Sequence, residues 1–106
     1  MKTKPGQVYR VDLGMAGKVR LMLAVSRKDD AKPRALTICV PVTGSTRDSG
    51  YEVELPKVPF LSKKSYANVQ GIQAIQDHEL SQKPIGSFRK EVLDEVRDAL
   101  RFALEL

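Results

Sequence analysis

The sequence predicts a small, mainly β, partly closed barrel followed by a single amphipathic helix. Three observations lead there. Up to about residue 80 the apolar residues run in short strand-like segments separated by turn formers. From Ser87 onward they recur at three- and four-residue spacing. The chain has 106 residues, 42% hydrophobic and 29% charged, which is the size and composition of one globular core, so residues 1–106 are read as a single domain.

Each element has its own signal. Gln7 to Asp12 reads as the first strand, closed by the turn formers Gly14-Met15-Ala16-Gly17. Val19 to Val25 is almost continuously apolar after Arg20, as expected of a strand covered on both faces. Ser26 to Arg34, with Asp29-Asp30 and Pro33, is a loop. Leu36 to Val42 reads as a third buried strand, whose Pro41 is expected at a sheet edge or bulge. Thr43 to Gly50 is a loop, Tyr51 to Leu55 alternates as a fourth strand, and Pro56 and Pro59 exclude regular pairing after it. Two short strands follow, around Ser65 to Val69 and Gly71 to Gln76. The helix then presents Val92, Leu93, Val96, Ala99, Leu100, Ala103 and Leu104 on one face, with Ser87 as its N-cap. About five to seven short strands and one terminal helix give a partly closed, SH3-like barrel.

Composition narrows the function. Eighteen Lys and Arg against thirteen Asp and Glu leave a net charge of +5, which favours a polyanionic partner, nucleic acid first and an acidic protein second. No apolar run approaches a membrane span, and Met1 to Pro5 is not followed by the hydrophobic segment of a secretory signal, so a cytoplasmic protein without a membrane partner is expected. The one cysteine, Cys39, lies in an apolar run and is expected to be core. There is no Cys pair, one His, no metal-ligand spacing and no glycine-rich phosphate loop, so neither a metal nor another cofactor is expected. An imidazole is the usual general base in metal-free RNA cleavage, but His78 sits in the polar run Asp77-His78-Glu79, where a solvated histidine is the commoner outcome.

Three central segments, Gly17-Lys18-Val19-Arg20-Leu21-Met22-Leu23, Cys39-Val40-Pro41-Val42-Thr43 and Gly50-Tyr51-Glu52-Val53-Glu54-Leu55, together resemble the MazF/PemK toxin family. The opening Gly6 to Leu13 is similar to that family's first strand, and Ile85-Gly86 with the amphipathic helix to its closing segment, so the likeness covers residues 6 to 106. It implies a homodimeric barrel that cleaves single-stranded RNA and is held inactive by a cognate antitoxin. It also implies that Arg20, opening the second strand, and Thr43, ending the third, are the catalytic pair.

The chemistry stands beside the likeness. Attack by a ribose 2′-hydroxyl builds negative charge on phosphorus, and a guanidinium is always charged and donates two parallel hydrogen bonds. Thr43 can donate a hydroxyl to a non-bridging oxygen from a loop that Gly44 makes close-fitting. Read without the likeness, Arg20 is a strand-end charge reaching water and Thr43 a hydroxyl closing a turn. The base that takes the 2′-hydroxyl proton is open between water, a phosphate oxygen and His78.

Lys18, Arg27, Lys28 and Arg47 are candidates to contact the RNA backbone through clustering around one mouth of the barrel, while each taken singly reads as a solvated surface charge. Asn68 and Gln70 can hydrogen-bond bases or phosphate, or satisfy the turn at Gly71. Tyr9 and Tyr51 are stacking candidates, though strand aromatics are more often core. The chain departs from the family pattern in having Arg20-Leu21 for the usual Arg-Pro, a short first loop, and neutral Asn68-Val69-Gln70-Gly71-Ile72-Gln73 where relatives carry charges. Two other classes fit the same residues: a non-catalytic gyrase inhibitor of the related CcdB kind, and an RNA-binding barrel without turnover.

Overall fold

A computed structural model of the chain describes residues 2–12 and 19–106. Seven strands and one α-helix are found among them: β1 (Gln7–Asp12), β2 (Val19–Ala24), β3 (Leu36–Thr43), β4 (Glu52–Glu54), β5 (Tyr66–Asn68), β6 (Gln73–Gln76), β7 (Gly86–Ser87) and α1 (Lys90–Leu104). Pairing is antiparallel in the order β4-β5-β3-β2-β1-β7, with β6 also on β3. The sheet curls into a half-barrel and α1 packs on it, the SH3-like arrangement expected from the strand pattern. Among the described residues no helix is long and apolar enough to cross a membrane. The turn expected at residues 14–17 lies outside the described residues.

Successive side chains of a strand point to opposite faces, and here both faces of the central strands are covered. Val8, Leu23 and Val40 pack with Val92, Val96 and Ala99 of α1 in one core. Tyr9, Val11, Met22, Ala24 and Cys39 point the other way and form a second core with Ile75 and Leu80. Both tyrosines proposed for stacking are engaged, Tyr9 fully buried and Tyr51 edge-on to Phe102 at 5.2 Å between ring centroids. Cys39 is fully buried as expected, and burial, with the Asp77 carboxylate nearby, pushes its thiol up to about 12.

Four expectations need correcting. β2 is covered on both faces only from Met22 onward, since Val19 and Arg20 stand exposed at the strand's open end. β3 is not buried throughout: Leu36 and Ile38 are exposed, because α1 covers the half of that face near Val40. Pro41 is not on a sheet edge but at a change of partner. β6 pairs with Leu36–Cys39 and β5 with Val42–Thr43, so on that side Pro41 faces no strand, and its missing N–H leaves no ladder bond unmade. Ser87 is not the helix cap. It pairs with Gln7 as part of β7, and the N–H of Phe88 then donates to the Gly6 carbonyl at 2.9 Å, so the extended backbone delays the helix until Lys90, with Arg89 at the N-cap.

A buried polar chain ties the N-terminal segment to β3 and to the 3-10 turn at Asp77–Glu79. Thr3 and Thr37 share a hydroxyl hydrogen bond of 2.9 Å, Thr37 donates to Asp77 at 2.6 Å, and Lys32 reaches the other Asp77 oxygen at 2.7 Å. Burial alone would raise the Asp77 carboxyl, but the bonds from Lys32 and Thr37 outweigh it and hold the group below the usual carboxylate range. Because its folded pKa is depressed, Asp77 contributes stability in full above the unfolded value near ~4 and loses it as pH falls through the folded value. Replacing Asp77 by Asn should therefore lower unfolding free energy by about 2 kcal/mol at pH 7, in urea titrations. The gap between the two proteins should narrow at pH 3, and a gap independent of pH would show that the carboxylate is not what matters.

Candidate active site

The pairing of β1, β2 and β3 sets one row of residues across three strands. Arg10 faces Leu21, and Leu21 faces Val42. One step further along the same register Arg20 comes opposite Thr43, and both lie at the same end of the hairpin, on the face that Met22 shares. The two residues that the family likeness nominated from distant parts of the sequence are thus neighbours across adjacent strands.

A cavity of about 460 Å³ opens at this end. Val19, Arg20, Leu21, Val42, Gly44 and Arg10 line the sheet side, and the segment from Pro59 to Ser65 forms the opposite wall. A second hollow of about 390 Å³, lined by Glu54, Leu55, Lys57 and Lys64, shares Leu61, Ser62, Lys63 and Ser65 with it, so the two are separated by one loop. Thr43 does not line the cavity itself. Its hydroxyl donates to the Ser45 carbonyl at 2.9 Å, closing the turn that places Gly44 at the rim.

The wall is built rather than loose. Phe60 packs on Phe88, ring centroids 5.3 Å apart, and lies flat against Gly86, where a Cβ would sit 2.2 to 2.5 Å from three ring carbons. Ser65 is buried, donates its hydroxyl to the Lys63 carbonyl at 2.9 Å, and accepts from the Leu55 N–H at 2.9 Å. The loop after β3 is held by Glu52, whose carboxylate accepts from the Ser49 hydroxyl at 2.7 Å and from the Arg47 N–H at 3.0 Å; those bonds keep it below the usual carboxylate range.

The other nominated residues are scattered. Arg27 and Lys28 follow the far end of β2. At a strand rise of about 3.3 Å, Ala24 is already about 13 Å from Arg20, so the two basic residues flank the opposite end of the hairpin rather than the same mouth. His78 is at that far end too, next to Asp77, whose N–H donates to the Ala35 carbonyl before β3 begins. The length of β3 then separates it from Thr43 by about 23 Å, which removes it as the base within one chain. Arg47 is exposed but does not line the cavity. Asn68 accepts from the Gln70 N–H at 3.1 Å and caps the 3-10 turn Val69–Gly71, so the turn-forming reading describes its side chain. Lys18 lies outside the described residues.

Arg10 and Lys63, both on the cavity, were not nominated by sequence. Arg10 reads as an ordinary exposed strand residue, and Lys63 sits far from Arg20 in a proline-flanked loop; only the register and the loop's return bring them in. Among the described residues no group of three or more His, Cys, Asp or Glu is placed to hold a metal ion.

A curled antiparallel sheet with a C-terminal helix defines an SH3-like barrel, and a cavity lined by Arg10, Arg20 and Lys63 opens at one end of its central hairpin. The model of the PemK-like, MazF-like toxins of type II toxin-antitoxin systems matches residues 4–104, and the chain belongs to that family. Among solved structures it is similar to a mycobacterial endoribonuclease in complex with its cognate antitoxin, at 27% identity and TM-score 0.84 over 98% of this chain and 96% of that one. A second mycobacterial endoribonuclease matches at 26% identity and TM-score 0.81, over 98% and 92% of the two chains. MazF of Deinococcus radiodurans shares the fold at 19% identity and TM-score 0.81, over 100% and 99%. Comparison with curated protein sequences returns no significant match.

Replacing Gly86 by Ala would force Phe60 off its seat, which should cost about 1–3 kcal/mol of stability and open the cavity wall. Thermal unfolding measures the first effect and near-ultraviolet circular dichroism of the Phe60–Phe88 pair the second; an unchanged melting temperature would overturn the account of the wall.

Proposed function

We propose that this toxin is a metal-independent, sequence-selective endoribonuclease that cuts single-stranded RNA by attack of a ribose 2′-hydroxyl on the adjacent phosphorus. The O5′–phosphorus bond breaks, leaving a 2′,3′-cyclic phosphate on one fragment and a 5′-hydroxyl on the other. Arg20 stabilises the charge that builds on the non-bridging oxygens, as an always-cationic donor placed where that charge develops. Thr43, once its hydroxyl turns from the Ser45 carbonyl, donates a second bond to the same oxygens, and Gly44 lets the phosphate approach. Water or a phosphate oxygen takes the 2′-hydroxyl proton, and a proton from solvent completes the departing 5′-hydroxyl.

What carries the reading is the cross-strand neighbourhood of Arg20 and Thr43 at the end of the hairpin where a cavity lined by Arg10, Arg20 and Lys63 opens, in a member of the MazF/PemK family. Residues 1–106 act as one toxin domain in the cytoplasm. Its antagonist is a cognate antitoxin, in keeping with the mycobacterial endoribonuclease seen bound to its own. The working form is a homodimer, for which the exposed Phe102, Leu104 and Leu106 near the end of the helix supply apolar surface.

In EDTA, the purified protein should cut a long single-stranded RNA into discrete fragments with cyclic phosphate ends, and Arg20→Ala should lower the rate by about 10²–10³. RNA left intact by a protein that instead stalls DNA supercoiling by gyrase would replace this function with a non-catalytic one.

A further inference from the structure

The cavity is lined by three cations and by no carboxylate. The hollow beside it sets Glu54 among its lysines, and the one at the far end of the hairpin sets Asp29, Asp30 and Asp77 beside Lys2, Lys32 and Arg34. Arg10, Arg20 and Lys63 line one cavity, and none of the three makes an ion pair among the described residues. Like charges gathered about a single hollow repel one another until an anion fills it, so the arrangement stores part of the free energy of binding one.

Their positions follow from the sheet. Leu21 and Val42 form the floor, and Arg10, facing Leu21 from β1, stands at one edge of it, two strand spacings or about 10 Å from β3. Lys63 stands at the other edge. Its Cε and Nζ lie 2.7 and 2.9 Å from where a Cβ on Gly44 would be, so the ammonium occupies the space the glycine leaves open beside Thr43. The hydroxyl of Ser65 pins the Lys63 carbonyl, leaving only the side chain free to adjust. Arg20 lines the cavity from the end of β2, where its Cβ turns to the face opposite Leu21 and its long side chain is exposed.

Resting on the nuclease reading of the same cavity, we infer that Arg10 and Lys63 are phosphate-binding residues of the RNA site. Lys63 shares the scissile phosphate with Arg20, and Arg10 takes the neighbouring phosphate of the same strand. The cavity therefore reads two consecutive phosphodiesters of an extended single strand, one from each edge.

The test compares wild-type protein with Arg10→Gln, Lys63→Gln and, as a control at the far end of the hairpin, Arg34→Gln. Each lost phosphate contact on a single strand should flatten the dependence of log kcat/KM on log salt by about 0.7, with Arg34→Gln unchanged. At low salt Arg10→Gln and Lys63→Gln should each lose about tenfold in kcat/KM. Substrates with an uncharged methylphosphonate on either side of the scissile phosphate assign Arg10: at one of the two positions wild type should fall to the level of Arg10→Gln, and Arg10→Gln should lose nothing more, whereas Lys63→Gln should still fall. Slopes equal to wild type in folded, cutting variants would overturn the assignment, as would independent losses with both methylphosphonates. Anisotropy of a labelled 2′-O-methyl strand reads the same slopes without turnover. A wild-type protein that binds this strand with those slopes but cuts no RNA would sink the nuclease reading and leave the two-phosphate cradle standing.

Discussion

The pairing of β2 on β3 decides what every other part of the molecule can do. With Leu21 facing Val42 and Leu23 facing Val40, one set of side chains feeds the core under α1 and the alternate set feeds the core around Tyr9 and Cys39. A slip of one residue exchanges the two sets. Because both faces are apolar, alternation by itself restrains such slips only weakly. The strand ends do more: any shift that draws Arg20 inward buries an unpaired guanidinium, at a cost no gain in packing offsets. The charge at Arg20 thus helps to set the register that brings it opposite Thr43.

Around that register the cavity is assembled from pieces with separate anchors. The floor belongs to the sheet, the rim to the loop after β3, and the far wall to a segment seated by Phe60 on Gly86 and Phe88. Gly86 belongs to the strand that pairs with β1, and Phe88 immediately precedes the N-cap of α1. The wall is consequently tied to the same junction that joins the first strand to the helix, and the site's shape depends on the helix being docked.

Much of this was legible in the amino-acid order. The bounds of β1 and the apolar stripe of α1 follow from local periodicity, which needs no knowledge of partners. Pro41 and Ser87 were misread because their roles are set by neighbours remote in sequence: a change of strand beside one, and pairing with Gln7 for the other. Arg27 and Lys28 are instructive in the same way. Proximity to Arg20 in sequence suggested proximity in space, but a strand carries its two ends apart. Arg10 and Lys63 were invisible for the converse reason, since neither belongs to a motif and only folding brings them to the cavity.

Cys39 sits at the middle of the sheet, with its sulfur in the second core and its thiol held protonated far above neutral pH. Peroxides and disulfides react with the thiolate, and an enclosed, protonated sulfur offers them almost none. Thiol oxidation therefore gives a cell no way to switch the folded toxin through Cys39.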